Sequence, residues 1–204
     1  MTVNDLSVYR LLSAALPSTP GPGDEQTFRH AMGSFPSPVS VVTALDRDGL
    51  PRGLTCSAVC SVSMAPPSLL ICVNRRNGTL DAIRGSGGFV VNLLSEGRHT
   101  TSEVFASSSP HKFAGVRWEP SAALGLPVLV DHMLAFAECS LHTEITAGTH
   151  AILIGLVHTS GRASRESGPL VYYDRAYGRW TLPEVDGAKT VPDRMTRSAQ
   201  ERKS

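Results

Sequence analysis

The chain has 204 residues, enough for one domain with a sizeable core. Nineteen Lys and Arg against 18 Asp and Glu leave a formal charge of +1, which excludes a nucleic-acid or membrane-surface binder driven by bulk charge. No apolar run approaches the roughly 20 residues of a membrane-spanning helix, and no basic segment followed by an apolar core marks a secretory signal.

In chain order, residues 1–23 hold Leu6, Leu11 and Leu12, then Pro17, Pro20 and Pro22 among Ser and Gly, the composition of a flexible N-terminal extension. Asp24 is placed as the N-cap of a short amphipathic helix bearing Phe28, Ala31, Met32 and Phe35 at helical spacing, ended by Pro36 and Pro38. Residues 39–45 read as a strand, Asp46-Arg47-Asp48-Gly49 as its turn, and the return strand passes through Pro51. A strand over 68–73, a short helix over 80–84 and a strand over 89–94 follow. Gly85-Ser86-Gly87-Gly88 is read as a loop, because it precedes a strand where a dinucleotide fingerprint would open a helix. Residues 96–106 look helical, 107–115 form a Ser-rich loop, and 120–127 are irregular. Two long strands, 133–146 and 150–160, flank the turn Ala147-Gly148-Thr149. A last strand spans 169–174, with Tyr177 and Trp180 just beyond. Residues 183–204 form a polar C-terminal tail. The count is six or seven mostly hairpin-connected strands with three short helices. It predicts a mainly β domain over 24–182, a closed or partly split antiparallel barrel. Without βαβ alternation a Rossmann fold is disfavoured.

Cys56, Cys60, Cys72 and Cys139 sit in strand-like apolar runs, as reduced, buried thiols of a cytoplasmic protein do, and their spacing is not that of a zinc site. His142, His150 and His158 recur every eight residues. A hairpin turning at Gly148 predicts His142 beside His158 and both far from His150, so no metal is assigned. No Ser, His and acid assemble at a recognisable nucleophile motif either.

The chemistry concentrates in residues 53–79, GLTCSAVCSVSMAPPSLLICVNRRNGT. In one continuous strand, Leu54, Cys56, Ala58, Cys60 and Val62 would take one face. Thr55, Ser57, Ser61 and Ser63 would take the other, interrupted only by Val59. Beyond the Pro66-Pro67 corner, the loop Asn74-Arg75-Arg76-Asn77-Gly78-Thr79 enters the helix near Leu80. A polar, basic, Gly-bearing loop at a helix N-terminus suits a phosphate. Hydroxyls beside such a cradle point to a phosphorylated ligand with a polar middle, such as flavin mononucleotide.

This run resembles the short-chain flavin reductases of two-component monooxygenase systems, whose flavin segment reads G-x-T-x-S-S-x-x-S-V-S-x-x-P-P-L-x-x-x-C-V-N. The matches are Gly53, Thr55, Ser57, Ser61-Val62-Ser63, Pro66-Pro67 and Cys72-Val73-Asn74, and the likeness covers roughly residues 28–180. The resemblance implies an antiparallel split β-barrel of the Greek-key, FMN-binding type, with flavin at a homodimer interface. It implies hydride transfer from NADH or NADPH to FMN or FAD, and delivery of reduced flavin to a partner monooxygenase. Thr55, Ser57 and the backbone of Cys56 and Ala58 are then candidates for the ribityl chain and pyrimidine edge, and Asn74 and Thr79 for ribityl and phosphate oxygens. Lys112, in a segment like the family's K-F pair, is a candidate second phosphate charge or a solvated loop lysine. Phe105 is a candidate for the dimethylbenzene end or an ordinary core residue. Arg75 and Arg76 are as much solvent-facing as functional. Gly148-Thr149-His150 stands where the family has G-D-H, so Gly148 and His150 are the nicotinamide candidates, and Thr in place of Asp leaves NADH against NADPH open. Tyr173 and Tyr177 are the fallback for that site. Two other functions fit the same barrel: a flavin carrier, or a flavin enzyme acting on another small molecule.

Overall fold

The computed structural model describes residues 24–163 and 167–180; the two predicted tails lie outside them. Among the described residues twelve strands are present: β1 (Ser37–Pro38), β2 (Ser40–Leu45), β3 (Pro51–Cys56), β4 (Val59–Met64), β5 (Pro67–Asn74), β6 (Gly88–Leu94), β7 (Glu119–Pro120), β8 (Pro127–Val128), β9 (Met133–Ala147), β10 (His150–Arg162), β11 (Leu170–Tyr173) and β12 (Ala176–Arg179). Three helices among the same residues accompany them: α1 (Glu25–Gly33), α2 (Gly78–Ser86) and α3 (His99–Ala106). Seven strands form one antiparallel sheet ordered β3-β2-β6-β9-β10-β5-β4, and a smaller sheet is ordered β1-β11-β12. The chain is therefore mainly β, as its hairpin signals predict.

β2 is buried on both faces, which explains its nearly continuous apolar run. Val42 and Ala44 join Ile71, Val73, Leu80, Ile83, Phe89 and Leu153 in one core cluster. Val41 joins Val39, Leu94, Phe105, Leu129 and Leu170 in a second. α2 packs on the first through Leu80, Ala82 and Ile83, and α3 on the second through Phe105. Polar groups inside are paired, as burial demands. Asn92 Nδ2 donates to Val41 O and Thr43 Oγ1, and Asn92 Oδ1 accepts Leu129 N at 2.9 Å. The fully buried Glu138 takes the hydroxyls of Ser121 and Thr159 and the amides of Ala123 and Leu124, pinning the irregular segment before β8.

Several expectations are corrected. The supposed single strand over 54–63 is two: it breaks at Ser57-Ala58, and its halves become the opposite edges of the sheet, β3 and β4. No ladder joins those edges, so hydrogen bonds do not close the sheet. Gly85 and Ser86 belong to α2, and Gly87 ends it in the left-handed conformation at φ 70°. A further strand, β12, pairs with β11. Bulges at Ile154/Gly155 and Val157/Thr159 shift the β9–β10 register. Cys139 faces Val157 and Leu141 faces Gly155, so His142 and His158 stand three positions, roughly 10 Å, apart along the strands. Cys60 is exposed and Cys72 half-buried, so two of the four thiols are not core residues. Asp24 does cap α1, accepting Gln26 N and Thr27 N, but α1 buries nothing: Phe28, Met32 and Phe35 are all at least half exposed.

Candidate functional site

The corner between β3 and β4 is short of spare groups on one side and rich in them on the other. Ser40 Oγ donates to Cys56 O at 2.5 Å, so that carbonyl is already engaged. Thr55 Oγ1 donates to Ser102 O at 2.5 Å, tying β3 to α3 and leaving only lone pairs for a ligand. The Cys56 thiol is inert: burial pushes its pKa up to about 11, and its sulfur points at the carbonyls of Ala58 and Cys72. Ser57 and Ala58 are exposed. Their carbonyls accept Val59 N and Cys72 N, so the Ser57 hydroxyl and two amide N–H groups remain as donors.

At the other end of β5 the loop into α2 caps itself. Asn74 Oδ1 accepts Arg76 N at 2.9 Å, Asn74 O accepts Asn77 N, and Asn77 O accepts Leu80 N. Asn77 is the N-cap, its Oδ1 taking Thr79 N at 3.0 Å. The expected cradle of free backbone N–H groups is thus largely spent. What it leaves is a side chain: Thr79 is 4% exposed, lines the adjoining cleft, and its hydroxyl has no hydrogen-bond partner among the described residues.

That cleft has a volume of about 1140 Å³ and lies between the β2–β3 turn, the start of α2 and the loop after α3. Lys112 enters it while donating from Nζ to Phe105 O at 2.9 Å and Gly53 O at 3.2 Å. Burial lowers its pKa, and with two carbonyl contacts one ammonium hydrogen stays available. Phe105 is fully buried, edge-on to Phe113 at 5.0 Å. It offers no surface to a flavin ring, so its part is packing beneath the site.

The β9–β10 turn reaches the same region. His150 pairs in register with Asn74, and Thr149 O accepts Arg75 N at 3.0 Å, so the two loops are joined. Gly148 has φ 57°, which the tight turn requires. The His150 ring is exposed, its Nδ1 3.0 Å from Thr149 Oγ1. Tyr177 stands on the α3 side instead, its hydroxyl 3.0 Å from Oγ of Ser102, the residue whose carbonyl takes Thr55.

Residues 32–181 match the family model described as the flavin reductase like domain. The chain belongs to the flavin reductase-like family. A flavin reductase (NADH) from Kitasatospora aureofaciens is 46% identical over 173 residues, covering 85% of this chain and 91% of that protein. A flavin reductase (NADPH) from Lentzea aerocolonigenes is 42% identical, with 75% and 88% covered. Among solved structures, nitrilotriacetate monooxygenase component B from Mycobacterium thermoresistibile superposes with a TM-score of 0.75 at 33% identity, covering 83% of this chain and 94% of that one. The likeness read from Gly53 to Asn74 therefore holds.

Within this flavin reductase-like chain, sequence reasoning missed Asn77 and Ser102. Asn77 carries a legible signal, an Asn directly before Gly-Thr-Leu at a helix start. Ser102 carries none, since its carbonyl meets Thr55 across 47 positions of sequence.

Proposed function

We propose that the protein is an NAD(P)H-dependent flavin oxidoreductase that supplies reduced FMN or FAD to a partner monooxygenase. The observation that carries the site is the unpartnered hydroxyl of Thr79, a nearly buried residue whose Oγ1 opens onto the cleft it lines with Lys112 and Arg76. A free hydroxyl, an ammonium with one hydrogen to spare and an unpaired guanidinium are the donor set a phosphate monoester asks for. Ser57, with the amides at the β3–β4 corner, suits the flavin's polar edge. Asn74, whose Oδ1 is spent on Arg76 N, offers its amide hydrogens to the ribityl chain.

The nicotinamide and the flavin ring supply the hydride exchange themselves; the chain's task is to hold the two rings within about 3–3.5 Å. His150 stands next to Asn74 across the β5–β10 ladder, and we assign it to orienting the nicotinamide dinucleotide. The half-exposed face of the sheet supports a homodimer. Leu70, Cys72, Ile145, Ile152, Ile154 and Leu156 share that side of β5, β9 and β10, opposite the core-facing Ile71, Val73 and Leu153. Such an apolar patch on an antiparallel sheet asks for a partner, and a second copy would complete the flavin's enclosure. Two edge strands joined by a two-residue corner suit a split barrel. No helix among the described residues is long and apolar enough to cross a membrane. The free cysteines fit a reducing compartment, and we place the protein in the cytoplasm.

The direct test mixes purified protein, NADH or NADPH, and free FMN or FAD while following the nicotinamide absorbance. Oxidation well above background is expected with at least one pair. Background rates in all four mixtures would remove the reductase reading. Light scattering should give twice the chain mass; a flavin-loaded monomer would count against the dimer.

A further inference from the structure

The cleft continues past the Thr79 corner, and its far part is not explained by one phosphate. Its volume of about 1140 Å³ is already above the ~300–1000 Å³ usual for small-ligand sites. The β2–β3 turn walls it with Asp46, Arg47, Asp48 and Arg52, and α2 floors it with Asp81, Arg84 and Gly85. Arg52 is taken by Asp46 at 2.8 Å, and Arg84 by Glu144 at 2.6 Å and Asp81 at 3.1 Å. Arg47, Arg76 and Lys112 make no ion pair among the described residues. Asp48 is the one cleft carboxylate likewise unpaired among them, so the uncommitted charge is positive.

The three cations are not in one place. Arg76 lies three residues before Thr79, and Lys112 Nζ is tied to the carbonyls of Gly53 and Phe105. The Arg47 stem instead crosses α2 at Gly85, where an added Cβ would lie 3.6 Å from Arg47 Cγ. Gly85 is six residues beyond Thr79, ~9 Å along a helix. A single phosphate held by Thr79 does not span that distance, whereas a pyrophosphate with its second ribose does. Pro51 and Pro110 on the walls give a purine apolar surface to cover.

We propose that this outer half of the cleft receives the adenosine monophosphate portion of FAD, with Arg47 on that second phosphate, so that the protein selects FAD over FMN. The inference rests on the reading that sets the flavin's own phosphate at Thr79. A nicotinamide dinucleotide carries a pyrophosphate too, so the test separates the two sources.

Calorimetric titration of flavin-free protein with FMN and FAD is compared for the native chain, Arg47→Ala and Arg47→Lys, alongside the KM for NADH and NADPH at saturating flavin. The native chain is expected to bind FAD more tightly than FMN. Arg47→Ala should weaken FAD about tenfold, the order of one charge-assisted phosphate contact, while FMN moves less than twofold. Arg47→Lys should keep most of the affinity, and neither KM should change. Equal effects on FMN and FAD, or no effect on either, would overturn the proposal while leaving the flavin site intact. A raised KM for NADH or NADPH with unchanged FAD affinity would overturn it by giving Arg47 to the nicotinamide dinucleotide. Failure of the native chain to bind either flavin would overturn it together with the reading beneath it.

Discussion

Replacing Gly53 by alanine would put a methyl carbon 2.7 Å from Phe105 Cε1, 2.8 Å from Phe105 Cδ1 and 3.2 Å from Val42 O. Ordinary contacts between carbon atoms begin near 3.5 Å, so either the ring or the strand must move. The ring has little freedom: it is fully buried and packed edge-on against Phe113. Overpacking of this kind costs about 1–3 kcal/mol, which for a chain of this size lowers Tm by roughly 2–12 °C. The disturbance should also reach the ligand, because Lys112 Nζ hangs from the carbonyls of both Gly53 and Phe105. The assay is a double-mutant cycle in chemical denaturation. Gly53→Ala, Phe105→Leu and the pair are compared, with a favourable coupling of about 1 kcal/mol or more expected because the smaller side chain relieves the clash. FMN affinity should fall more than riboflavin affinity in Gly53→Ala. A cost under about 0.5 kcal/mol, or additive single effects, would show that Gly53 is not there to admit the ring.

Thr79→Ala and Lys112→Ala should each weaken FMN more than riboflavin, by a contact worth roughly 1.5–3 kcal/mol; equal losses for both ligands in a titration would remove the phosphate from these residues. His150→Ala should raise the KM for NADH and leave FMN affinity nearly unchanged, with Thr149→Asp altering the NADH to NADPH ratio; unchanged kinetics in both would move the nicotinamide site away from the β9–β10 turn. Glu138 offers a pH test. Burial alone would raise its pKa, but the hydroxyls of Ser121 and Thr159 and the amides of Leu124 and Ala123 outweigh that and hold it below the usual Glu value. A depressed carboxylate stabilises the fold above its unfolded pKa of ~4.3, and that contribution is lost as pH falls through the folded value. Glu138→Gln should therefore lower Tm near neutrality and flatten its decline below about pH 5; an unchanged acid limb would show that the carboxylate's charge is not what the clamp uses.

Local signals were legible and distant pairings were not. Asp24 before an apolar-periodic run, the turn at Gly148, and the strands on either side of it could be read from a few neighbouring residues. The break at Ser57-Ala58 could not. Alternation continues across it in the sequence, and only the pairing of β3 with β2 and of β4 with β5 separates the halves. Asn77 and Thr79 illustrate the same limit within the site. The loop's basic, Gly-bearing composition identifies a helix start with room for an anion. Which donors remain free depends on Asn74 and Asn77 having taken the amides first. Phe105 was ambiguous because an aromatic in a helix looks alike whether it meets a ligand or Gly53.

The two-residue corner at Ser57-Ala58 has a consequence for how such a site can change over generations. Each flanking strand is already secured by its own hairpin partner, β3 by β2 and β4 by β5. The corner's position is therefore dictated by where those hairpins end, and its own side chains owe nothing to the ladders. Substitutions there alter what is offered to a bound molecule without relocating the place where it is offered. A lineage can thus retune recognition at Ser57 while its scaffold stays fixed. Drift at Ser40 or Thr55, whose hydroxyls bind carbonyls of the fold itself, is penalised by lost stability before any change in recognition is felt.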